Sequence, residues 1–76
     1  MEIKVYSTPT CPYCIRLKNF LKERQVSFAN VDVSTDQAGL QEMIKVSGQM
    51  GVPVVVADGE VMVGFDQARI EAKLGH

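Results

Sequence analysis

Several classes of function are disfavoured by what the sequence lacks. Its 8 Lys and Arg residues are balanced by 9 Asp and Glu residues, and no two basic residues are adjacent, so nothing predicts binding to nucleic acid or to an anionic membrane. No apolar stretch approaches the roughly 18 residues of a membrane-spanning helix. The opening Met-Glu-Ile-Lys-Val lacks the apolar region of a signal peptide. We therefore expect a cytoplasmic protein.

The chain is also short, and it has few candidate metal ligands. Its 76 residues suffice for one domain, residues 1–76, and a domain of this size has little room for haem or flavin. A structural zinc site needs four ligands, but beside the two cysteines only His76 is a candidate. We expect a monomer with no bound metal and no tightly bound cofactor.

The two cysteines, Cys11 and Cys14, are too close together to act as a structural staple. Small domains stabilised by disulfides carry several cysteine pairs spread along the chain. A bond between these two would close a loop of four residues and contribute about 2 kcal/mol at most. The spacing therefore indicates a redox group, although two inert cysteines on a core helix face are the alternative reading.

The apolar periodicity predicts the element order βαβαββα. Residues 2–6 and 27–33 alternate in polarity like strands, with Ala29, Val31 and Val33 on one face, and residues 12–25 have the 3–4 spacing of an amphipathic helix. Residues 52–57 form a continuous apolar run typical of a buried strand. Ile70 and Leu74 indicate a short final helix.

A second helix and a hairpin complete the predicted fold. Ser34 and Gln37 have the spacing of a capping box, with Asp36 in the first turn and Gly48 at the end of the helix. Asp58-Gly59 is typical of a two-residue hairpin turn before a strand at 60–63. A strand–helix–strand unit favours a parallel pair. We predict an α/β fold, a four-stranded mixed sheet with helices on both faces.

The first cysteine is predicted to be the nucleophile. Proline is favoured at the first position of a helix, so Pro12 makes Cys11 the N-cap, where the helix dipole and free N–H groups stabilise a thiolate. Cys14 follows on the same helix face and is more buried, which suits a resolving thiol. Arg16 and Lys18 either add positive potential near the thiolate or simply mark a solvated helix face.

Cys11-Pro12-Tyr13-Cys14 resembles the active-site motif of dithiol glutaredoxins. The predicted element order, with a later Val-Pro and Gly-x-Asp, resembles the thioredoxin-like fold of that family over nearly the whole chain. The resemblance implies a thiol-disulfide oxidoreductase, an electron carrier in cell redox homeostasis that reduces protein or glutathione mixed disulfides. Glutathione would be a co-substrate.

The resemblance also implies roles for residues that bind the substrate. Pro53 would be a cis-proline facing the dithiol, and the backbone of Val52 would pair with the substrate chain. Tyr13 would contact glutathione or a partner, and Gly64 and Asp66 would receive the γ-glutamyl group. Each residue also has a purely structural alternative. Pro53 would be a trans-proline that opens a strand, and Tyr13 an exposed side chain. Gly64 would end a strand, and Asp66 would be a helix N-cap.

The sequence departs from the glutaredoxin pattern at three positions. Thr8 replaces a basic residue, Gly51 a threonine, and Val63 a glycine. In its shortness, in Ser47-Gly48-Gln49 before the Val-Pro and in the single Gly64-Phe65, the chain resembles the redoxins that serve ribonucleotide reductase and are reduced by thioredoxin reductase. The expected partners are therefore disulfide-containing proteins, ribonucleotide reductase among them, with thioredoxin reductase or glutathione as the reductant.

A binding role is the second hypothesis. In some members of the wider family, two copies hold an iron–sulfur cluster through the first cysteine and two glutathione molecules. Pro12, directly after Cys11, disfavours this role. The visible absorption of anaerobically purified protein distinguishes the two hypotheses, because only the cluster form is coloured.

Overall fold

Seven elements follow one another in the predicted order βαβαββα. The computed structural model describes residues 2–74, so His76 lies outside the described part of the chain. The elements are β1 (Ile3–Ser7), α1 (Pro12–Glu23), β2 (Ala29–Asp32), α2 (Gln37–Ser47), β3 (Val54–Ala57), β4 (Glu60–Val63) and α3 (Gln67–Leu74). None of the helices in residues 2–74 is both long enough and apolar enough to cross a bilayer.

The four strands form one mixed sheet in the order β2-β1-β3-β4. β1 and β2 are parallel, with Ser7 opposite Asp32, because α1 carries the chain back across the sheet between them. The pairs β1–β3 and β3–β4 are antiparallel. The β3–β4 hairpin turns through Asp58 and Gly59, whose φ angles of 52° and 86° are those of a type I′ turn.

Helices cover both faces of the sheet, as predicted. On one face, α1 and α3 pack on the strands through a buried cluster of Ile3, Val5, Leu17, Phe20, Leu21, Val55, Ala57, Met62 and Ile70. On the other face, α2 packs through Met43 against Tyr6, Val33 and Val54. Fully burying a side chain such as Leu17 or Leu21 contributes roughly 1.5–3 kcal/mol, and the 3–4 spacing of these residues is what gives α1 its apolar stripe.

Helix α1 ends two residues earlier than its apolar pattern predicts. Gln25 has a left-handed φ of 57°, its N–H donates to the Lys22 carbonyl, and the Val26 N–H donates to the Leu21 carbonyl. These two bonds form a Schellman motif, in which the orphan carbonyls of the last turn are satisfied. Gln25 therefore terminates α1 at Glu23, and the predicted boundary at residue 25 was wrong.

The predicted capping box of the second helix was also wrong. The Ser34 hydroxyl donates to Asp32 Oδ1, and α2 begins at Gln37 with Asp36 as its N-cap, Oδ1 accepting from the Gly39 N–H at 2.9 Å. Aspartate is as good a cap as serine, and it lies directly before the helical residues. Gly48, in the left-handed region at φ 74°, ends α2 as predicted.

Strand β2 is shorter than predicted, and its first residue is exposed. The sequence predicts a strand over 27–33 with Ala29 on the buried face, but β2 pairs with β1 alone, at an edge of the sheet. Val31 and Val33 still pack against the α2 face. A Cβ added to Gly39 of α2 would lie 2.4 Å from Val31 Cγ1, so this glycine permits the close approach of α2 to β2.

Candidate active site

The strand registers bring three loops to one end of the sheet. Tyr6 near the end of β1 pairs with Val54 at the start of β3, and Val54 pairs with Val63 at the end of β4. The loop from β1 to Cys11, the Val52–Pro53 segment and the Gly64–Asp66 segment therefore all extend from this end. The topology alone thus gathers the three segments that carry the predicted site residues.

Cys11 is the N-cap of α1, as its position before Pro12 predicts. Its backbone is extended, at φ −85° and ψ 115°, and its sulfur accepts a hydrogen bond from the Cys14 N–H at 3.3 Å. Pro12 occupies the first helical position, where its missing N–H leaves no donor unsatisfied. The Cys11 sulfur is only partly buried and both cysteines are free thiols, so Cys11 is open to a disulfide in solution.

The environment of Cys11 favours the thiolate. Burial, the largest single influence, opposes ionisation, but it is outweighed by hydrogen bonds from the Cys14 side chain and from the backbone N–H groups of Cys14 and Tyr13, and by the charge of Lys18. Together they lower the pKa of Cys11 below its ordinary value. A lowered pKa is typical of a cysteine that attacks disulfides near neutral pH.

Cys14 has the opposite environment. It is fully buried on the inner face of α1, and burial, followed by the hydrogen bond with Cys11, raises its pKa to about 11. A buried thiol of this kind stays protonated at neutral pH. The two cysteines of one helical turn are therefore differentiated into an accessible thiolate and a protected thiol.

Of the two basic side chains near the motif, Lys18 is the one that acts on the cysteines. Its charge lowers the pKa of both Cys11 and Cys14. It lies seven residues after Cys11 and four residues after Cys14, on the same helix face, and helical side chains lean toward the N-terminus. The Arg16 guanidinium instead lies 5.7 Å from the ring centre of Tyr13, whose side chain is 59 % exposed.

The Val52–Pro53 peptide bond is cis, as the resemblance implies. Pro53 is buried at the start of β3, and its carbonyl accepts a hydrogen bond from the Gly64 N–H at 2.8 Å. This bond ties the segment before β3 to the segment after β4. It also occupies the N–H of one of the two residues assigned to the γ-glutamyl group.

Asp66, the other residue of that pair, caps α3. Its Oδ1 accepts from the Arg69 N–H at 3.1 Å, and its carbonyl accepts from the Ile70 N–H. Gly64 ends β4 with a left-handed φ of 82°. Both residues thus have the structural roles that the sequence left open as alternatives. The exposed carboxylate of Asp66 keeps an oxygen that no hydrogen bond within residues 2–74 uses.

The contacts of Gln49 are not predicted from the sequence, where this residue enters only as part of Ser47-Gly48-Gln49. The Gln49 side chain closes over Gly51, immediately before Val52, and hydrogen-bonds to the backbone of that glycine. The spacing of Gln and Gly by two residues was the available signal. Nowhere in residues 2–74 do three or more His, Cys, Asp or Glu side chains come together as candidate metal ligands.

The Glutaredoxin family model matches residues 3–62, which include both cysteines and the cis-proline. The chain belongs to the glutaredoxin family. Over 69 residues it is 46 % identical to the "Uncharacterized glutaredoxin-like 8.6 kDa protein in rubredoxin operon" of Clostridium pasteurianum, covering 91 % of this chain and 92 % of that one. It is 38 % identical over 65 residues to Glutaredoxin 3 of Escherichia coli K12, covering 86 % and 78 %.

Solved structures confirm the thioredoxin-like fold of this glutaredoxin-family chain. A mutant of the thioredoxin-like protein BC3987 superposes with a TM-score of 0.93 at 35 % identity, covering 97 % of this chain and 95 % of that one. The glutaredoxin-like NrdH-redoxin from Escherichia coli superposes with a TM-score of 0.83 at 25 % identity, covering 95 % and 93 %. The chain is a small redox protein of this fold.

Proposed function

We propose that this chain is a dithiol-disulfide oxidoreductase that reduces disulfides in proteins. One observation carries the proposal: a partly exposed Cys11 sulfur, at the N-terminus of a helix, accepts a backbone hydrogen bond from the residue that also supplies a buried second thiol. The first group has the lowered pKa of an attacking thiolate, and the second is protected until it is needed.

The reaction proceeds through two exchanges. The Cys11 thiolate attacks one sulfur of the substrate disulfide, that S–S bond breaks, and the departing thiolate takes up a proton. Cys14 then loses its proton and attacks Cys11 Sγ, which forms the Cys11–Cys14 disulfide and releases the second substrate thiol. Two electrons pass from the dithiol to the substrate, and the cycle needs no bound cofactor.

We further propose that the electrons come from a protein reductase of the thioredoxin reductase class, with glutathione a poorer donor. Position 8 holds an uncharged threonine, Asp66 caps α3, and the Gly64 N–H is engaged by Pro53. These features reduce the charge and the free donors available to a glutathione molecule. The NrdH-redoxin structure, described as having a thioredoxin-like activity profile, supports the same proposal, and ribonucleotide reductase is then one candidate target.

The test offers the oxidised protein NADPH together with either thioredoxin reductase or glutathione plus glutathione reductase, and follows the return of the thiols. Faster recovery with thioredoxin reductase is expected. Equal or faster recovery with glutathione would contradict the proposed electron source and leave the dithiol chemistry intact. Failure with both systems and with dithiothreitol would contradict the dithiol function itself.

A further inference from the structure

The loop between α2 and β3 is closed by a single side chain. The Gln49 amide makes two hydrogen bonds to Gly51: Oε1 accepts from the Gly51 N–H at 2.7 Å, and Nε2 donates to the Gly51 carbonyl at 3.0 Å. We call this pair of bonds the Gln49–Gly51 clasp. One side chain thus satisfies both backbone groups of an exposed residue that would otherwise bond to water.

The clasp is attached to the end of α2. The Gly48 N–H donates to the Ile44 carbonyl at 2.8 Å, and the Ser47 hydroxyl lies 2.6 Å from the Met43 carbonyl and 3.0 Å from the Gln49 carbonyl. These bonds fix the backbone of Gln49 relative to the helix. Groups held by a helix terminus are positioned more accurately than groups on a free loop.

A side chain at position 51 would displace the Gln49 amide from its present position. A Cβ added there would lie 2.6 Å from Gln49 Oε1, well inside the contact distance of the two atoms. The glutamine amide therefore occupies the space that any side chain at residue 51 would take. Gln49 and Gly51 act as one structural unit.

The clasp leaves the backbone groups of Val52 free, on a segment that extends from the same end of the sheet as the loop to Cys11. The N–H and carbonyl of Gly51 are bonded to Gln49, Pro53 has no N–H, and its carbonyl is bonded to Gly64. Among the hydrogen bonds of residues 2–74, none uses the N–H or the carbonyl of Val52. An extended peptide can pair with such a donor and acceptor as an added strand does.

We propose that Gln49 is a positioning residue that holds Val52 ready to pair with the extended backbone flanking a substrate disulfide. The inference deepens the proposed function and rests on it. No hydrogen bond within residues 2–74 joins Gln49 to either sulfur, so its contribution lies in docking and leaves the exchange at Cys11 untouched. The substrates it favours are disulfides with peptide chain on at least one side.

The test compares two disulfides with one set of variants. Pre-reduced protein is mixed with a disulfide-bridged peptide or with bis(2-hydroxyethyl) disulfide, which has no peptide backbone, and both second-order rate constants are measured. Gln49→Ala should lower the rate with the peptide by about fivefold, the ratio that one neutral hydrogen bond supports. It should leave the rate with the small disulfide and the alkylation rate of Cys11 unchanged.

Two further variants sharpen the comparison. Gln49→Glu keeps the length of the side chain but sets a carboxylate oxygen against the Gly51 carbonyl, so it should open the clasp and lower the peptide rate as Gln49→Ala does. If Gln49→Ala fails to fold by circular dichroism, Gln49→Glu is judged by the same criterion. Gln41→Ala, at an exposed glutamine of α2, should behave as the unaltered protein.

Two results would overturn the inference: an unchanged peptide rate, or an equal loss with both disulfides, which would assign Gln49 a general structural role. A different result bears on the proposed function. If the unaltered protein reduces neither disulfide, the dithiol chemistry is wrong, and this outcome is separate from any effect of Gln49.

Discussion

The backbone N–H of Cys14 lies 3.3 Å from the sulfur of Cys11 and donates a hydrogen bond to it. In the proposed reaction Cys14 therefore has two tasks: its backbone stabilises the attacking thiolate, and its buried sulfur later resolves the mixed disulfide. The arrangement follows from Pro12, which places Cys11 just outside the helix and Cys14 one turn inside it. Substitutions of the Cys14 side chain can therefore remove the second task and keep the backbone hydrogen bond of the first.

The first prediction concerns the pH dependence of alkylation. Because the pKa of Cys11 is lowered, its thiolate persists to a lower pH than the thiolate of an ordinary cysteine does. Iodoacetamide should therefore react at lower pH with the folded protein than with the same protein in denaturant. Burial, the largest influence on Cys14, raises its pKa to about 11, so in Cys11→Ser the remaining thiol should stay unreactive at neutral pH. Coincident profiles for folded and denatured protein would contradict this account.

The second prediction concerns Lys18. Lys18→Gln should raise the pKa of both cysteines and slow alkylation of Cys11 at neutral pH by about two- to fivefold, the size expected for a partly solvent-screened charge. The difference should shrink in high salt. Lys22→Gln, one helical turn further from the dithiol, is the matched control and should leave the rate unchanged. If Lys18→Gln left the rate of Cys11 alkylation unchanged, Lys18 would have no role in activating the thiolate.

The third prediction concerns Gly39. Replacing a helical glycine by alanine usually stabilises a helix by about 1 kcal/mol. Here the new Cβ would lie 2.4 Å from Val31 Cγ1, and overpacking of this kind costs about 1–3 kcal/mol, so Gly39→Ala should lower the free energy of unfolding. Gln41→Ala on the exposed face of α2 is the control. Urea denaturation measures the stability of both variants. A higher urea midpoint for Gly39→Ala than for the unaltered protein would contradict the prediction and show that β2 moves to accommodate the added methyl group.

The fourth prediction separates the observed cap of α2 from the one that the sequence indicates. Asp36→Ala removes the acceptor of the Gly39 N–H and should cost about 1 kcal/mol of stability. Ser34→Ala removes a hydroxyl whose one hydrogen bond within residues 2–74 is a solvent-exposed bond to the Asp32 carboxylate, so it should cost less. Urea midpoints in the reverse order would restore Ser34 as the cap.

Most of the fold could be predicted because local signals agree with tertiary packing. Pro12 begins α1 because its fixed φ suits the first helical position, and Asp58-Gly59 and Gly48 turn the hairpin and end α2 through left-handed conformations that few residues adopt. The boundary at Gln25 was missed because a glutamine in the left-handed region leaves no mark in the sequence. The capping-box spacing to Gln37 favours Ser34 as the cap. Asp36 is an equally good cap, and only the three-dimensional course of the chain chooses between them.

The dithiol itself was predictable, but the conformation of the loop before Pro53 was not. Cys11 and Cys14 are separated by one helical turn, so their relationship is local. The Gln49–Gly51 clasp depends on the exit angle of the chain from α2 and on the start of β3 beyond Val52. Such side-chain-to-backbone bonds lack the periodicity from which elements are predicted.

The central claim is that Cys11 attacks and Cys14 resolves, and mass spectrometry of trapped intermediates tests it most directly. Reduced Cys14→Ser, mixed with a disulfide-bridged peptide and quenched in acid, should accumulate a covalent adduct through Cys11 and stop after one exchange. Cys11→Ser should form no adduct and show no reduction above background. Adducts formed by Cys11→Ser, or full turnover by Cys14→Ser without an added thiol, would contradict the account.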